Sequence, residues 1–429
     1  MTSGGADPGA NSAAGVEAVI ADTHRREWAR VLAVTLRTAR DLDLAEECVQ
    51  EAYAAALQSW ARDGVPRNPA AWLTTIARRR AVDAIRRDTS MRSRLPLLVE
   101  DEAAMPDPAM PSTEYLDPAD VIPDERLRLI FTCCHPALAR EAQVALTLRL
   151  VCGVSTAHIA RAFLVSEPTV AARITRAKHK ISSARIPYRV PRPAELPARL
   201  RAVLAVIHLL FSTGHTAPSG PALVRPELVD QALHLARMLR GLLPGDTEVG
   251  GLLALLLVTD ARRATRSDAG GRLVRLPDQD RSQWDQAALA EADELIVAGL
   301  TAGPPGRYVL QAAIAALYAQ APSYDQTDFG QILVLYDRLL EVWPSPVVAL
   351  NRAVPLAMVR GPAAALAEVE RLERDGRLSG YQYLPAVKAD LLRRAGRGRE
   401  AEQAYRQALA ATVNEAERAF LTDQIADFD

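Results

Sequence analysis

Thr156-Ala-His-Ile-Ala-Arg-Ala-Phe-Leu-Val-Ser-Glu-Pro-Thr-Val-Ala-Ala-Arg-Ile-Thr-Arg-Ala-Lys-His-Lys180 reads as two short helical patterns joined by a turn. Ile159, Ala160 and Phe163 form the apolar side of a first helix, Leu164-Val165 the turn, and Val170, Ile174, Ala177 and Ile181 one buried stripe of a second helix. Ser166 is placed to cap that second helix, and Pro168 falls in its first turn, where the missing N–H costs no intrahelical bond. Ala160 supplies the small side chain that a close helix crossing needs, so the spacing predicts a helix-turn-helix. Leu164 stands where such turns often carry Gly. Thr169, Ala172, Arg173, Arg176 and Lys180 remain on the outside of the second helix. Arg pairs with guanine edges or phosphates, Lys with phosphates, and Thr and Ala with thymine methyls, so this face suits a major groove. The plain alternative is a solvated basic helix on a structural bundle.

Charge along the chain singles out the same region. The 429 residues carry 51 Lys+Arg against 52 Asp+Glu, yet the near-zero sum hides segregation. Residues 60–94 hold 9 basic and 3 acidic side chains, 95–125 hold 9 acidic and no basic ones, and 126–192 hold 12 basic and 2 acidic ones. Two basic blocks flank an acidic, Pro-rich tether, a pattern that attracts polyanions to the first 192 residues. The tether is expected to be a solvating spacer, with shielding of the DNA-facing surfaces as the sharper alternative. With 49% hydrophobic residues the chain is long enough for about three domains, which excludes disorder throughout. The longest uninterrupted apolar run, Leu252 to Val258, is shorter than the ~18 residues of a membrane span, and Met1 to Ala18 has neither a basic nor an apolar signal region. A cytoplasmic protein with no membrane partner is the expectation. Cys48, Cys133, Cys134 and Cys152 show no C-x-x-C spacing, so no disulfide framework, metal or cofactor is expected.

Helical periodicity dominates and strand-like alternation is nearly absent, so the fold class is all-α. The expected organisation is a disordered N-terminus (1–15), a first helical domain (16–94), the acidic linker (95–124), the helix-turn-helix domain (125–190), a helical extension (191–330) and helical repeats (331–429). Tyr336 and Tyr405 lie 69 residues apart, and Gly361 and Gly396 lie 35 apart. With the Gly396-Arg397 turn and Ala401 and Tyr405 in the following helix, this period resembles the tetratricopeptide repeat over about Gln331 to Ile425.

Upstream, Asp41 to Trp60 reads as an amphipathic helix. Leu44, Ala45, Cys48, Val49, Ala52, Tyr53, Ala56 and Trp60 form its apolar side, and Asp43, Glu46, Glu47, Gln50 and Glu51 are expected to face outward. The next segment, Asn68 to Arg87, puts Arg79, Asp83 and Arg86 on one face. The pattern Ala45-Glu-Glu-Cys-Val-Gln-Glu-Ala-Tyr53, followed by Ala71-Trp-Leu-Thr-Thr-Ile-Ala77 and Asp83-Ala-Ile-Arg-Arg87, resembles region 2 of the extracytoplasmic-function type of bacterial RNA polymerase sigma factor. Ser166 to Lys180 resembles the region 4 recognition helix of the same family. The resemblance covers roughly residues 16 to 190. Phe131-Thr-Cys-Cys-His-Pro136 and the long helical extension are similar to a subgroup with a fused tetratricopeptide-like C-terminal domain.

This resemblance implies a specificity subunit, not an enzyme, that binds core RNA polymerase and promoter DNA. It implies that Asp43, Glu47, Gln50 and Glu51 dock on the β′ clamp helices and that region 4 meets the β flap. Asn68, Arg79, Asp83, Arg86 and Arg87 would line the path of the melted minus-10 strand, while Ser166, Thr169, Arg173, Arg176 and Lys180 would meet the minus-35 duplex. Trp72 belongs with the core on this reading. In the subgroup the extension is thought to replace a separate anti-sigma factor, and its repeat groove would bind an unknown protein or peptide. The rival is a helix-turn-helix regulator that does not join polymerase.

Three motifs lie outside that scheme or at its edge. Cys133-Cys134-His135 points in too many directions on a helix to hold a metal, and is read as helix packing. His208-Leu-Leu-Phe-Ser-Thr-Gly-His215 and Asp278-Gln-Asp-Arg-Ser-Gln-Trp284 are read first as a hydrogen-bonded corner and second as the walls of a ligand or partner pocket. Neither contains a nucleophile with an orienting base, so catalysis is not expected.

Overall fold

The computed structural model describes residues 13–94, 125–163, 165–192 and 194–428. The acidic tether 95–124, residues 1–12 of the expected N-terminal head and the turn residue Leu164 lie outside the described residues. Helices make up the fold, and among the described residues only isolated bridges such as Gly220 with Asn414 interrupt them. The all-α class read from the periodicity is what the chain adopts.

The chain divides into two compact units, one through Val206 and one from Ile207 onward. The first contains α1 (Ala13–Ala39), α2 (Leu42–Asp63), α3 (Pro69–Arg94), α4 (Glu125–Cys133), α5 (Arg140–Leu146), α6 (Thr156–Phe163) and α7 (Glu167–Ser183). Local signals set the ends of these helices. Asp41 accepts the Leu44 N–H at 2.8 Å to start α2, and Gly64, at φ 84°, returns its N–H to Trp60 to stop it. Asn68 Oδ1 accepts the Ala71 N–H at 3.0 Å ahead of Pro69, which starts α3. Ser166 Oγ accepts the Thr169 N–H at 3.3 Å at the head of α7, as its position predicts. Leu32, Val49, Trp60 and Leu73 are buried where α1, α2 and α3 pack together.

α8 (Leu196–His215) leads into the second unit. By length and composition it is the one helix among the described residues that could cross a membrane. It buries Val203, Leu204, Ile207, Leu210 and Phe211 within the protein, as a core helix does. There follow α9 (Pro226–Leu242), α10 (Thr247–Asp260), α11 (Gln286–Thr301), α12 (Arg307–Gln320), α13 (Phe329–Val342), α14 (Pro346–Arg360), α15 (Pro362–Asp375), α16 (Tyr383–Arg394), α17 (Gly398–Ala411) and α18 (Glu415–Ala426). From α12 to α18 each helix packs on the next, with Leu350, Ala353, Val369, Ala389, Ala401 and Tyr405 in a shared core. Gly361 and Gly396, the glycines of the sequence period, both turn with positive φ, at 85° and 73°.

Two details fix the second unit. Asn414, fully buried, donates to the carbonyls of Ala217 and Ala222 at 3.1 and 3.0 Å while capping α18 through the Glu417 N–H, so the last helix is tied to the loop after α8. At the crossing of α10 and α12, a Cβ on Gly251 would stand 2.6 Å from the Val309 backbone nitrogen. Next to it, the Glu248 carboxylate accepts the Tyr308 and Val309 N–H groups at the head of α12. Backbone cannot yield as a side chain end can. Gly251→Ala is therefore expected to lower stability by about 1–3 kcal/mol through overpacking, read as a reduced urea midpoint with an unchanged slope.

Candidate nucleic-acid interface

The helix-turn-helix forms as its sequence pattern requires. Val170, Ile174, Ala177 and Ile181 are buried, Ile159 and Ala160 face them from α6, and the Val165 N–H closes the turn on the Ala160 carbonyl at 3.1 Å. Arg176 and Lys180 are exposed, and Arg173 and Thr169 sit half-buried at the margin of the same face. The Arg176 Nε donates to its own helix at the Ala172 carbonyl, 3.1 Å away. Ser166 spends its hydroxyl on the cap and on Thr169, 2.7 Å away, so its first duty is structural.

On α2, Asp43, Glu47, Gln50 and Glu51 are exposed together. Glu51 pairs with Arg80 of α3, which sets the acidic helix beside the basic one. On α3, Arg79, Asp83 and Arg86 line one shallow groove with Thr75 and Arg78. Arg87 turns its Nε back towards the Asp83 carbonyl, and Asn68 uses its amide oxygen as a helix cap. Trp72 lies half-buried and edge-on to Trp60, with ring centroids 5.5 Å apart.

Glu46 departs from expectation. It does not face outward with its neighbours: it is 7% exposed. Lys178 of α7, also buried, donates to Glu46 Oε2 at 2.8 Å and to Asp43 Oδ1 at 2.6 Å, and Arg149 pairs with the other Glu46 oxygen. Burial alone would lower the Lys178 pKa, but its hydrogen bonds to Asp43 and Glu46 outweigh that and hold it above the usual lysine value. The acidic helix and the recognition helix are thus clasped in one unit through an ionic cluster.

A second contact reinforces the clasp. Thr147–Val151 forms a π-helical turn, and the Trp28 indole donates to the Leu150 carbonyl there at 3.0 Å. Gly153, at φ 68°, follows immediately, and a Cβ on it would meet the His24 ring at 2.6 Å and Trp28 at 2.9 Å. Tyr188 donates to the Ala33 carbonyl at 3.2 Å. The four cysteines are buried and free, with Cys134 Sγ 3.4 Å from the Thr147 hydroxyl, and burial pushes the Cys134 thiol up to about 11. No group of His, Cys, Asp or Glu is placed to hold a metal ion among the described residues.

An exposed basic recognition helix, a basic groove and an acidic face on one small helical unit define a DNA-binding protein of transcription. Residues 24–91 match the family model for sigma-70 region 2, residues 128–181 that for sigma-70 region 4, and residues 199–299 a family of unknown function (DUF6596). The uncharacterized protein R00370 of Rhizobium meliloti (strain 1021) is 43% identical over 398 residues, covering 92% of each chain. The ECF RNA polymerase sigma factor SigK of Mycobacterium tuberculosis and that of Mycobacterium bovis are 28% identical over 162 residues, 37% of this chain and 81% of theirs. No solved structure gives a significant match. The chain belongs to the sigma-70 family of RNA polymerase sigma factors, as an extracytoplasmic-function-like member with an added C-terminal helical domain. The region 2 match removes the rival reading of a regulator that does not join polymerase.

Proposed function

We propose that α2 docks this sigma factor on the β′ clamp helices through Asp43, Glu47, Gln50 and Glu51, with α4 to α7 carried to the β flap. The exposed carboxylates of α2 support the first of these. In the minus-35 duplex α7 lies in the major groove with Arg173, Arg176 and Lys180 towards bases and phosphates, and Thr169 and the capped N-terminus at one end. The groove of Arg79, Asp83 and Arg86, with Arg87 and Asn68 beside it, holds the melted minus-10 strand by its backbone. No bond is made or broken by this chain; contacts to both elements offset the cost of opening the duplex while the polymerase carries out the chemistry. The work is cytoplasmic, and the repeat-like helices α13 to α18 receive a protein or peptide.

The observation that carries this reading is the pairing of an acidic face with two basic faces on one unit that matches regions 2 and 4. Docking as proposed exchanges Lys178 for a cation of the polymerase at Asp43. Multi-round transcription with purified core polymerase and a library of random promoters tests it. Promoter-selective transcripts that require the added protein are expected. An absence of both selective transcripts and core binding would refute it.

A further inference from the structure

The second unit contains a cavity of about 430 Å³ between α8, α10, α12, α13 and the Leu276–Trp284 segment, a size that holds small organic ligands. Its walls include the rings of Trp284, Tyr318, Tyr336 and Trp343, with His208 and Arg262 as the groups that carry or could carry charge. Both motifs that the sigma scheme leaves aside meet here: His208 from the first, and Trp284, held by its indole N–H to Thr265 at 2.9 Å, from the second. His215, by contrast, belongs to a structural corner, stacked on Phe211 and accepting Arg266 at its carbonyl.

The arginines around this cavity have different fates. Arg263 is neutralised by Asp260 and Asp230, and Arg266 donates to His215 and Thr216. Arg281 gives one Nη to the carbonyls of Tyr318, Ala319 and Ala321 at the end of α12 and lies over the Trp284 ring at 4.6 Å. The Arg262 carbonyl accepts the Thr265 N–H and hydroxyl at 3.1 and 3.0 Å, while its guanidinium makes no hydrogen bond or ion pair among the described residues. The guanidinium is half-buried at the cavity wall; burial lowers its pKa, and the charge that acts on it is another cation, Arg281. A half-buried guanidinium without a carboxylate partner, at the wall of a largely apolar cavity, keeps its paired donors free for an anion that enters the cavity. His208 does not compete for that role: burial, with Arg307 adding to it, pushes its pKa down to about 4, so at neutral pH the imidazole is uncharged.

We propose that this cavity binds a small aromatic carboxylate, its anionic group on Arg262 and its ring among Trp284, Tyr318, Tyr336 and Trp343. Carboxylate geometry matches a guanidinium's paired donors, and the aromatic walls match a flat apolar body. A ligand held there lies at the joint between α8 to α12 and the repeat-like helices, since Tyr336 and Trp343 come from α13 and its end while His208 and Trp284 come from earlier elements. The proposal stands or falls independently of the polymerase and promoter assignments, because its readout is binding to the free chain.

The test titrates the full-length protein with benzoate, phenylacetate and indoleacetate, with the corresponding uncharged amides, and with inorganic phosphate, following tryptophan fluorescence and heat of binding. At least one carboxylate is expected to bind and to perturb Trp284 and Trp343, with its amide weaker by about tenfold or more. Arg262→Gln should bring the carboxylate down to the affinity of its amide, and Ala315→Trp, which fills the cavity from α12, should abolish both. Should Arg262→Gln fail to fold, Arg262→Lys keeps the charge without the paired donors and should lose about tenfold. No binding of any carboxylate at low millimolar concentration would overturn the proposal. So would equal binding by the Arg262 variant, tight binding of phosphate alone, or undiminished binding by a folded Ala315→Trp protein.

Discussion

Glu46→Ala is expected to cost the first unit about 3–5 kcal/mol, because it removes the buried counter-charge of the half-buried Arg149 and leaves the buried Lys178 only the exposed Asp43. Lys178 and Glu46 each have side chains 9% exposed, and Arg149 is 20% exposed, so water cannot replace the missing carboxylate cheaply. Chemical denaturation should show the loss as a lower midpoint for the transition of the first unit, with the second unit's transition unmoved. Asp43→Ala is the matched control. Its carboxylate also touches Lys178, but it is 75% exposed, so the expected cost stays below about 1 kcal/mol. Joint replacement of Glu46 by Leu with Lys178 and Arg149 by Met should recover most of the loss, since a packed apolar cluster often equals a buried ion pair. Because the folded Lys178 pKa lies above its unfolded value, the lysine's contribution is complete below about pH 10 and is lost as pH rises through the folded value. The Glu46→Ala deficit should therefore be the same at pH 7 and pH 9. A deficit below about 1 kcal/mol at both would mean that the cluster does not hold α2 to α7.

The clasp was legible in part, and the reason it escaped is specific. Leu42, Glu46, Val49 and Tyr53 occupy one helical stripe at spacings of four, three and four, and the other three are buried. Ile174, Lys178 and Ile181 repeat the arrangement on α7 with the opposite charge. A carboxylate and an ammonium, each centred in an apolar stripe, signal a buried pair between two helices. The acidic neighbours Glu47 and Glu51 mask that signal, because by composition Glu46 belongs with them and only the helical period separates it. In Val170, Ile174, Ala177 and Ile181 four apolar residues leave no ambiguity about which face of α7 is buried. The contacts at Trp28 and Gly153 had no comparable signal. They join residues more than 120 positions apart through a π-helical turn, and neither a single Trp nor a single Gly announces its distant partner. In the second unit His208 and His215 stand seven apart, on nearly the same face of α8 but about 10 Å apart along its axis. His208 lines the cavity from within α8, while His215 closes the helix and enters the corner with Arg266. Arg262 carries no motif of its own; what singles it out is its place on the cavity wall with no side-chain partner among the described residues, which only three dimensions reveal.

Arg173→Ala with Arg176→Ala is expected to reduce promoter-selective transcription by at least tens of fold while leaving core polymerase binding intact. A well-placed arginine contact to a base edge contributes about 1–3 kcal/mol of discrimination, so losing two such contacts accounts for a drop of that size or more. The variant isolates DNA reading because Arg176 is exposed, Arg173 sits at the margin of the exposed face, and neither joins the ionic cluster at Glu46. Among the described residues Arg176 bonds to its own helix alone, and Arg173 makes no ion pair, so the folded unit should lose no more than about 0.5 kcal/mol. Lys178→Met on the same helix makes the opposite case: it removes a cation that faces inward, so it should alter the melting of the unit before it alters any contact with DNA. Salt dependence separates base from phosphate contacts. If either arginine meets a phosphate, the slope of log affinity against log salt falls by about 1 for each one lost, whereas a base contact changes sequence preference at constant slope. Unchanged selectivity and unchanged slope in the double variant, with a normal melting curve, would take promoter reading off this face of α7. The basic groove of Arg79, Asp83 and Arg86 would then be the surface left to carry it.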